Sequence, residues 1–267
     1  MSRRLLRFGF HGFLNALPLL NFLQRNGTRV GFEMVVDAPS VIAEKLLSGQ
    51  HDLAMIPSIE YLRVADGFRL FPGICIASRQ AVLTVLLVTK VKLSEVRSVA
   101  LDNRSRTSVA LLRILFESRF HPKVEYHPAV PDIAEMLKTH SAALIIGDPA
   151  LNITELDQSF TIYDLSREWF ALTGKAFVHA VVAVRPDILL TDDMVRTMRA
   201  AIGNVKDEIT EIIKDQSKHY GAGICEDYLR HRIRYVLGEE ETQGLICFRD
   251  LCHDRGLIAR KHPIQYI

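Results

Sequence analysis

With 267 residues, a net charge of +2 and 24% charged side chains, the chain has the composition of a globular α/β protein and lacks the clustered basic excess of a nucleic-acid binder. Its four cysteines (Cys75, Cys225, Cys247, Cys252) do not make a disulfide framework in a chain this long, so a reduced, cytoplasmic compartment is expected. The positively charged start is followed by apolar patches broken at Gly9, His11 and Gly12, which read neither as a signal peptide nor as a membrane span.

The spacing predicts a strand over 5–10, then a helix capped by Asn15 with Pro18 in its first turn. A strand over 30–36 precedes a helix over 40–47, where Val41, Ile42 and Leu46 recur at helical spacing before Gly49. A short buried strand over 52–56 leads into a helical turn opened by Pro57 and Ser58. This alternation predicts a mostly parallel sheet with helices on both faces. The apolar run 81–89 reads as a strand leaving that sheet. The pattern then restarts: strand 98–102, helix 106–120, strand 124–127, helix 131–139, strand 142–146, and a helix over 167–172 that stops at Gly174. A strand over 177–184 returns to the first half. In the tail, Val195, Met198, Ile202, Val205, Ile209 and Ile212 mark one buried helical stripe. The expected division is a first lobe of 1–88 and 178–267 and a second of 89–177. The ligand cleft lies between them, where strand ends and helix starts meet.

Ser105, Thr107 and Ser108 open a helix directly after a strand. Its first N–H groups lack intrahelical partners at the positive end of the helix dipole and suit a carboxylate or phosphate. The same residues are also ordinary N-caps, and both readings stand. Asn15 and Ser58 likewise follow strands and begin helices. Asp148, before Pro149, fits a turn cap or a ligand contact, and Glu60 a solvent-facing or a networked carboxylate. His179 interrupts an apolar strand, either packed or facing the cleft, while His121 and His127 are expected at the surface. The basic run 230–234 reads as a solvated helix face. Glycine-rich phosphate loops, a nucleophile elbow, metal-like histidine spacing and a nucleophile–base pair are all absent from the sequence.

Four segments in order carry a resemblance: 13–19 (Phe-Leu-Asn-Ala-Leu-Pro-Leu), 56–62 (Ile-Pro-Ser-Ile-Glu-Tyr-Leu), 105–112 (Ser-Arg-Thr-Ser-Val-Ala-Leu-Leu) and 146–151 (Ile-Gly-Asp-Pro-Ala-Leu). With Trp169, Leu172-Thr173-Gly174 and Phe177-Val178, they resemble the chorismate dehydratases of the futalosine route to menaquinone. The resemblance implies a two-lobed α/β fold of the periplasmic-binding-protein-like type II class, with two crossing strands as hinge. It implies a lyase that removes water from chorismate, giving 3-[(1-carboxyvinyl)oxy]benzoate without cofactor or metal. The expected partner is therefore a small dicarboxylate, not nucleic acid or a membrane.

By the same resemblance, Asn15 hydrogen-bonds the reacting region and Thr84 supplies a hydroxyl that serine often provides. Ser58, Ser78, Ser105, Thr107, Ser108, Asp148 and His179 are expected to bind substrate. The proton acceptor is a substrate carboxylate or, alternatively, His11 or His179. A sister family, the 1,4-dihydroxy-6-naphthoate synthases, carries a histidine where this chain has Gly147. A non-catalytic small-anion binding protein would share the cleft. The chain departs from the dehydratase pattern at Lys175-Ala176, where an apolar residue and proline are common. It also departs at His179 and Val182, where aromatic residues are frequent.

Overall fold

The described residues of the computed structural model, 4–64, 67–102, 104–116, 118, 124–155 and 160–267, form two five-stranded sheets. The first half runs β1 (Leu6–Phe10), α1 (Leu17–Val30), β2 (Phe32–Val36), α2 (Pro39–Leu47), β3 (Leu53–Pro57), α3 (Ser58–Val64) and β4 (Arg69–Ser78). The second runs β5 (Val85–Thr89), β6 (Ser98–Asp102), α4 (Arg106–Leu115), β7 (Glu125–Ala129), α5 (Ile133–Thr139), β8 (Ala142–Ile146), β9 (Thr161–Asp164) and α6 (Leu165–Thr173). Then β10 (Phe177–Val184) rejoins the first sheet, and α7 (Asp192–Gly203), α8 (Val205–Tyr220), α9 (Ala222–Glu226) and α10 (Glu239–Asp254) follow.

Both sheets share one topology, β2-β1-β3-β10-β4 and β7-β6-β8-β5-β9. In each, the strand arriving from the crossover is antiparallel to its neighbours while the paired strands beside it run parallel. Every residue of β3, β5 and β8 is buried, which their unbroken apolar sequences require of strands covered on both faces. At a sheet edge β7 tolerates Pro128, which has no N–H to give to a ladder. Gly31, at φ 105°, ends α1 in the left-handed region and turns the chain straight into β2. The loops after β1, β6 and β8 all open onto one cleft between the sheets.

Several expectations shift. Ala16, not Asn15, holds the cap position of α1 and makes no side-chain bond there. The strand expected over 30–36 starts at Phe32 because α1 continues to Val30. β4 escaped the periodic reading because Pro72 and Gly73 interrupt it, and β9 because it is only four residues long. The strand expected over 81–89 begins at Val85, so the expected lobe boundary after 88 falls inside a strand of the second sheet and Thr84 sits on the crossover. Between α6, which packs mainly on elements of the second half, and β10 of the first sheet, the second crossing runs through residues 174–176. Asn204 divides the tail stripe between α7 and α8, with Val195 and Ile202 only half-buried. The basic run is paired rather than free: Arg230 to Glu226, Arg232 to Asp227, and Arg234 to Glu240 and the buried Glu241. Of the helix expected over 106–120, α4 covers Arg106–Leu115, and His121 lies outside the described residues.

Candidate active site

The cleft encloses about 610 Å³, its mouth included, and both halves wall it. From the first come His11 and Asn15 in the β1–α1 loop and His179 on β10. From the second come Arg104, Ser105, Thr107 and Ser108 around the start of α4, and Gly147 after β8; Thr84 enters from the crossover.

Thr84 is placed by backbone geometry that its neighbours enforce. Leu83, just before it, has φ 66°, the one non-glycine residue with positive φ among those described. Such a conformation persists only where surroundings hold it. The Asp164 carboxylate does so by accepting the N–H groups of Val82 (2.8 Å) and Leu83 (2.7 Å), while also capping α6 through Ser166 and Arg167. Thr84 Oγ1 then lies 2.9 Å from the hydroxyl of Tyr228, a wholly buried residue that follows α9. The Asn15 side chain lies near enough to the same hydroxyl to favour its ionised form, and its Oδ1 is buried without a hydrogen-bond partner. Burial pushes the Tyr228 hydroxyl well above its ordinary value, so it stays a neutral phenol. Asn15 and Thr84 thus converge beside a residue from the far end of the chain, which Thr84 bonds.

Ser105 is both cap and wall. Its Oγ accepts the Ser108 N–H (3.1 Å) and donates to Ser108 Oγ (2.8 Å). Thr107 Oγ1 accepts the Ile59 N–H from across the cleft at 3.3 Å and leaves its own proton available. Arg104 is the one formally charged side chain in the wall among the described residues. Its Nε and Nη2 grip the wholly buried Asp102 at 2.9 and 2.6 Å, and Nη2 also donates to the Ile146 carbonyl. That fork fixes a guanidinium whose Nη1 makes no hydrogen bond among the described residues. Burial holds His11 and His179 at a pKa of about 4, so both are neutral near pH 7. His179 Nε2 sits 3.0 Å from Ser78 Oγ, and His11 Nδ1 is buried without a partner.

Of the residues expected to bind substrate, Ser105, Thr107, Ser108 and His179 line the cavity with Asn15 and Thr84. Ser58, Ser78 and Asp148 stand behind it. The Ser58 hydroxyl donates to the Val178 carbonyl (2.7 Å), and Ser78 orients His179. Both Asp148 oxygens lie 3.1 Å from the Leu14 N–H; burial raises this carboxyl to about 6 against the opposing pull of that N–H and of Arg104. Glu60 is buried and networked, bonded to Arg63 (2.7 Å) and Arg106 (3.3 Å). Val182 belongs to the core. The sequence reading missed Arg104, although a cation one residue before a hydroxyl-rich cap is a signal for an anion. It had no local signal for Tyr228.

The family model "Menaquinone biosynthesis" matches residues 6–254. A chorismate dehydratase from Thermus thermophilus is 29% identical over 260 residues, covering 91% of this chain and 93% of that protein. Among solved structures, protein AF1704 from Archaeoglobus fulgidus superimposes with a TM-score of 0.76 at 15% identity, over 97% of this chain and 100% of that one. The periplasmic aliphatic sulphonate binding protein SsuA from Escherichia coli gives a TM-score of 0.64 at 16% identity, over 100% and 94%. These likenesses show a periplasmic-binding-protein-like fold, as the resemblance implied. With the match running through both sheets and the cleft between them, the chain belongs to the menaquinone biosynthesis family.

Proposed function

We propose that the chain is a chorismate dehydratase, a carbon–oxygen lyase that converts chorismate into 3-[(1-carboxyvinyl)oxy]benzoate and water. The observation that carries this reading is the convergence of Asn15 and Thr84 on Tyr228, in a cavity wall whose cation is Arg104. In the reaction the ring carbon bearing the ether loses a proton. Its electron pair forms the third ring double bond, and hydroxide leaves the neighbouring carbon, with the proton completing water. Aromatisation drives the step, so orientation and polar stabilisation suffice for the protein's part.

The proton acceptor in this reading is a carboxylate of the substrate itself, held by Asn15 and Thr84. Histidines at a pKa of about 4 are weak bases, which favours the substrate carboxylate over His11 or His179. Gly147 supports the dehydratase over its naphthoate-forming sister. It has φ +72°, and a Cβ there would lie 3.3 Å from the Phe13 ring, so a histidine would need that ring displaced. All four cysteines are free, and no described helix is long and apolar enough to cross a membrane; a cytoplasmic workplace suits both facts.

Incubation with chorismate should remove its diene absorbance and yield the aromatic product by chromatography. A chorismate-bound protein without turnover would instead favour an anion-binding role. Arg104 takes one substrate carboxylate through Nη1 in this reading. Arg104→Met, combined with Asp102→Asn so that no unpaired buried carboxylate remains, is expected to raise KM about 10- to 100-fold, the value of one charged hydrogen bond. Steady-state kinetics check this, and an unchanged KM would remove Arg104 from the binding site.

A further inference from the structure

Three residues at the carboxyl edge of the second sheet grip the loop that carries His11 and Asn15 in the first. Gly147 lies under Phe13, with its missing Cβ 3.3 Å from the ring. The Arg104 guanidinium stands 5.8 Å from the centre of the same ring. Next in the chain, Asp148 reaches across the cleft and accepts the Leu14 N–H with both oxygens at 3.1 Å. Leu14 directly precedes Asn15 and is itself buried, 1% exposed. Phe13 closes the loop through its carbonyl, which accepts the Ala16 N–H at 2.9 Å. The Leu14 amide therefore sits at the middle of a tight turn whose end residues are fixed by α1 and β1. A bond from the opposite lobe at that point sets the direction in which Asn15 leaves the turn.

We infer that Asp148 is a positioning residue: by holding the Leu14 N–H across the cleft, it places the Asn15 side chain against Tyr228 and the reacting part of the substrate. This rests on the dehydratase reading for its chemistry but not for its geometry. A ligand contact would need the carboxylate in the cavity wall, and Asp148 is not among the residues that form it. Around it stand Arg104, whose charge favours the ionised carboxylate, and Tyr220, Cys225 and Tyr228 from the C-terminal helical segment, all of which its charge pushes toward their neutral forms. A negative carboxylate would repel a dicarboxylate substrate if it faced the cavity. Turned to a backbone N–H behind the wall, it does not.

The test compares Asp148→Ala with Asp148→Asn, which keeps one acceptor oxygen. With chorismate as substrate, Asp148→Ala is expected to lower kcat about tenfold or more, the order of loss when a polar group at the reacting centre is misplaced, with a smaller change in KM. Asp148→Asn should recover most of that loss. Hydrogen exchange at the Leu14 amide, read by NMR, should speed up in the alanine variant and slow again in the asparagine variant. A raised KM with kcat intact would overturn the inference and return Asp148 to direct substrate binding. Unchanged Leu14 exchange, or kcat within about twofold of wild type, would overturn it as well, since Asn15 would then keep its place without the bond. Wild-type protein that leaves chorismate untouched would refute the dehydratase reading instead, and the exchange measurement would still decide the Asp148–Leu14 link.

Discussion

Asn15→Ala is expected to lower kcat for chorismate about 10²- to 10³-fold, the usual effect of removing one preorganised polar group from a reacting centre. Asn15 makes no cap bond to α1, so its amide is not needed for the helix it precedes. Its Oδ1 is buried and unpartnered, and its side chain meets the Tyr228 hydroxyl that also holds Thr84. Such an orphaned acceptor is costly unless a bound group satisfies it. In the proposed reading the substrate is that group. Truncation therefore removes an interaction made with the reacting atoms while the fold remains, and thermal melting should be close to wild type. Full turnover by Asn15→Ala would remove it from the chemistry. Thr84→Ser should retain most activity because it keeps the hydroxyl, whereas Thr84→Val should not.

Gly244→Ala is expected to destabilise the protein, although alanine is intrinsically better in a helix by about 1 kcal/mol. Gly244 lies buried in α10, and a Cβ there would stand 2.0 Å from the Ala176 carbonyl oxygen. That oxygen is backbone and already accepts the Trp169 indole N–H at 3.2 Å, so it has nowhere to retreat. Trp169 in turn packs edge-on against Phe177 and Phe248, with ring centres 5.4 and 5.9 Å away. Overpacking of this kind exceeds the helix gain and leaves a net loss of about 2 kcal/mol. For a chain of this size that corresponds to a Tm about 4–8 °C lower. Calorimetry checks the value, and the single tryptophan reports the cause: its fluorescence should shift as the indole loses its buried acceptor. A Tm equal to or above wild type would show that α10 moves away from Ala176 without penalty.

Lys175-Ala176 stands where an apolar residue and proline are common; the Ala176 carbonyl is wedged between α10 and Trp169, a place a proline carbonyl would fill equally, and the structure does not explain this departure. His179 departs within the cavity wall, where it is neutral and tied to Ser78, so its effect falls on cavity shape rather than on charge.

Much of the architecture was readable from the chain alone because it follows from local rules. The strands over 98–102, 142–146 and 177–184 coincide with β6, β8 and β10, each an apolar run bounded by turn residues. The Ser105 cap was readable for the same reason: its hydroxyl and the N–H it accepts are three residues apart. Where local signals conflict, as at Pro72-Gly73 inside β4, the reading failed. The candidate site divides along the same line. Hydroxyls at the start of α4 announce an anion seat in sequence, and the structure keeps them both as cap and as wall.

By itself, then, the sequence determined the order of most strands and helices, β4 and β9 excepted, the restart of the pattern in a second half and the cap chemistry of α4, all of which depend on periodicity and neighbours within a few residues. Only the tertiary structure decided that Tyr228 joins Thr84 from 144 residues away, and that Asp148 serves Leu14 across 134 residues instead of lining the cavity. Contacts at such separations are set by two sheets of one topology facing each other, and no local periodicity encodes which side chains that juxtaposition brings within hydrogen-bonding distance.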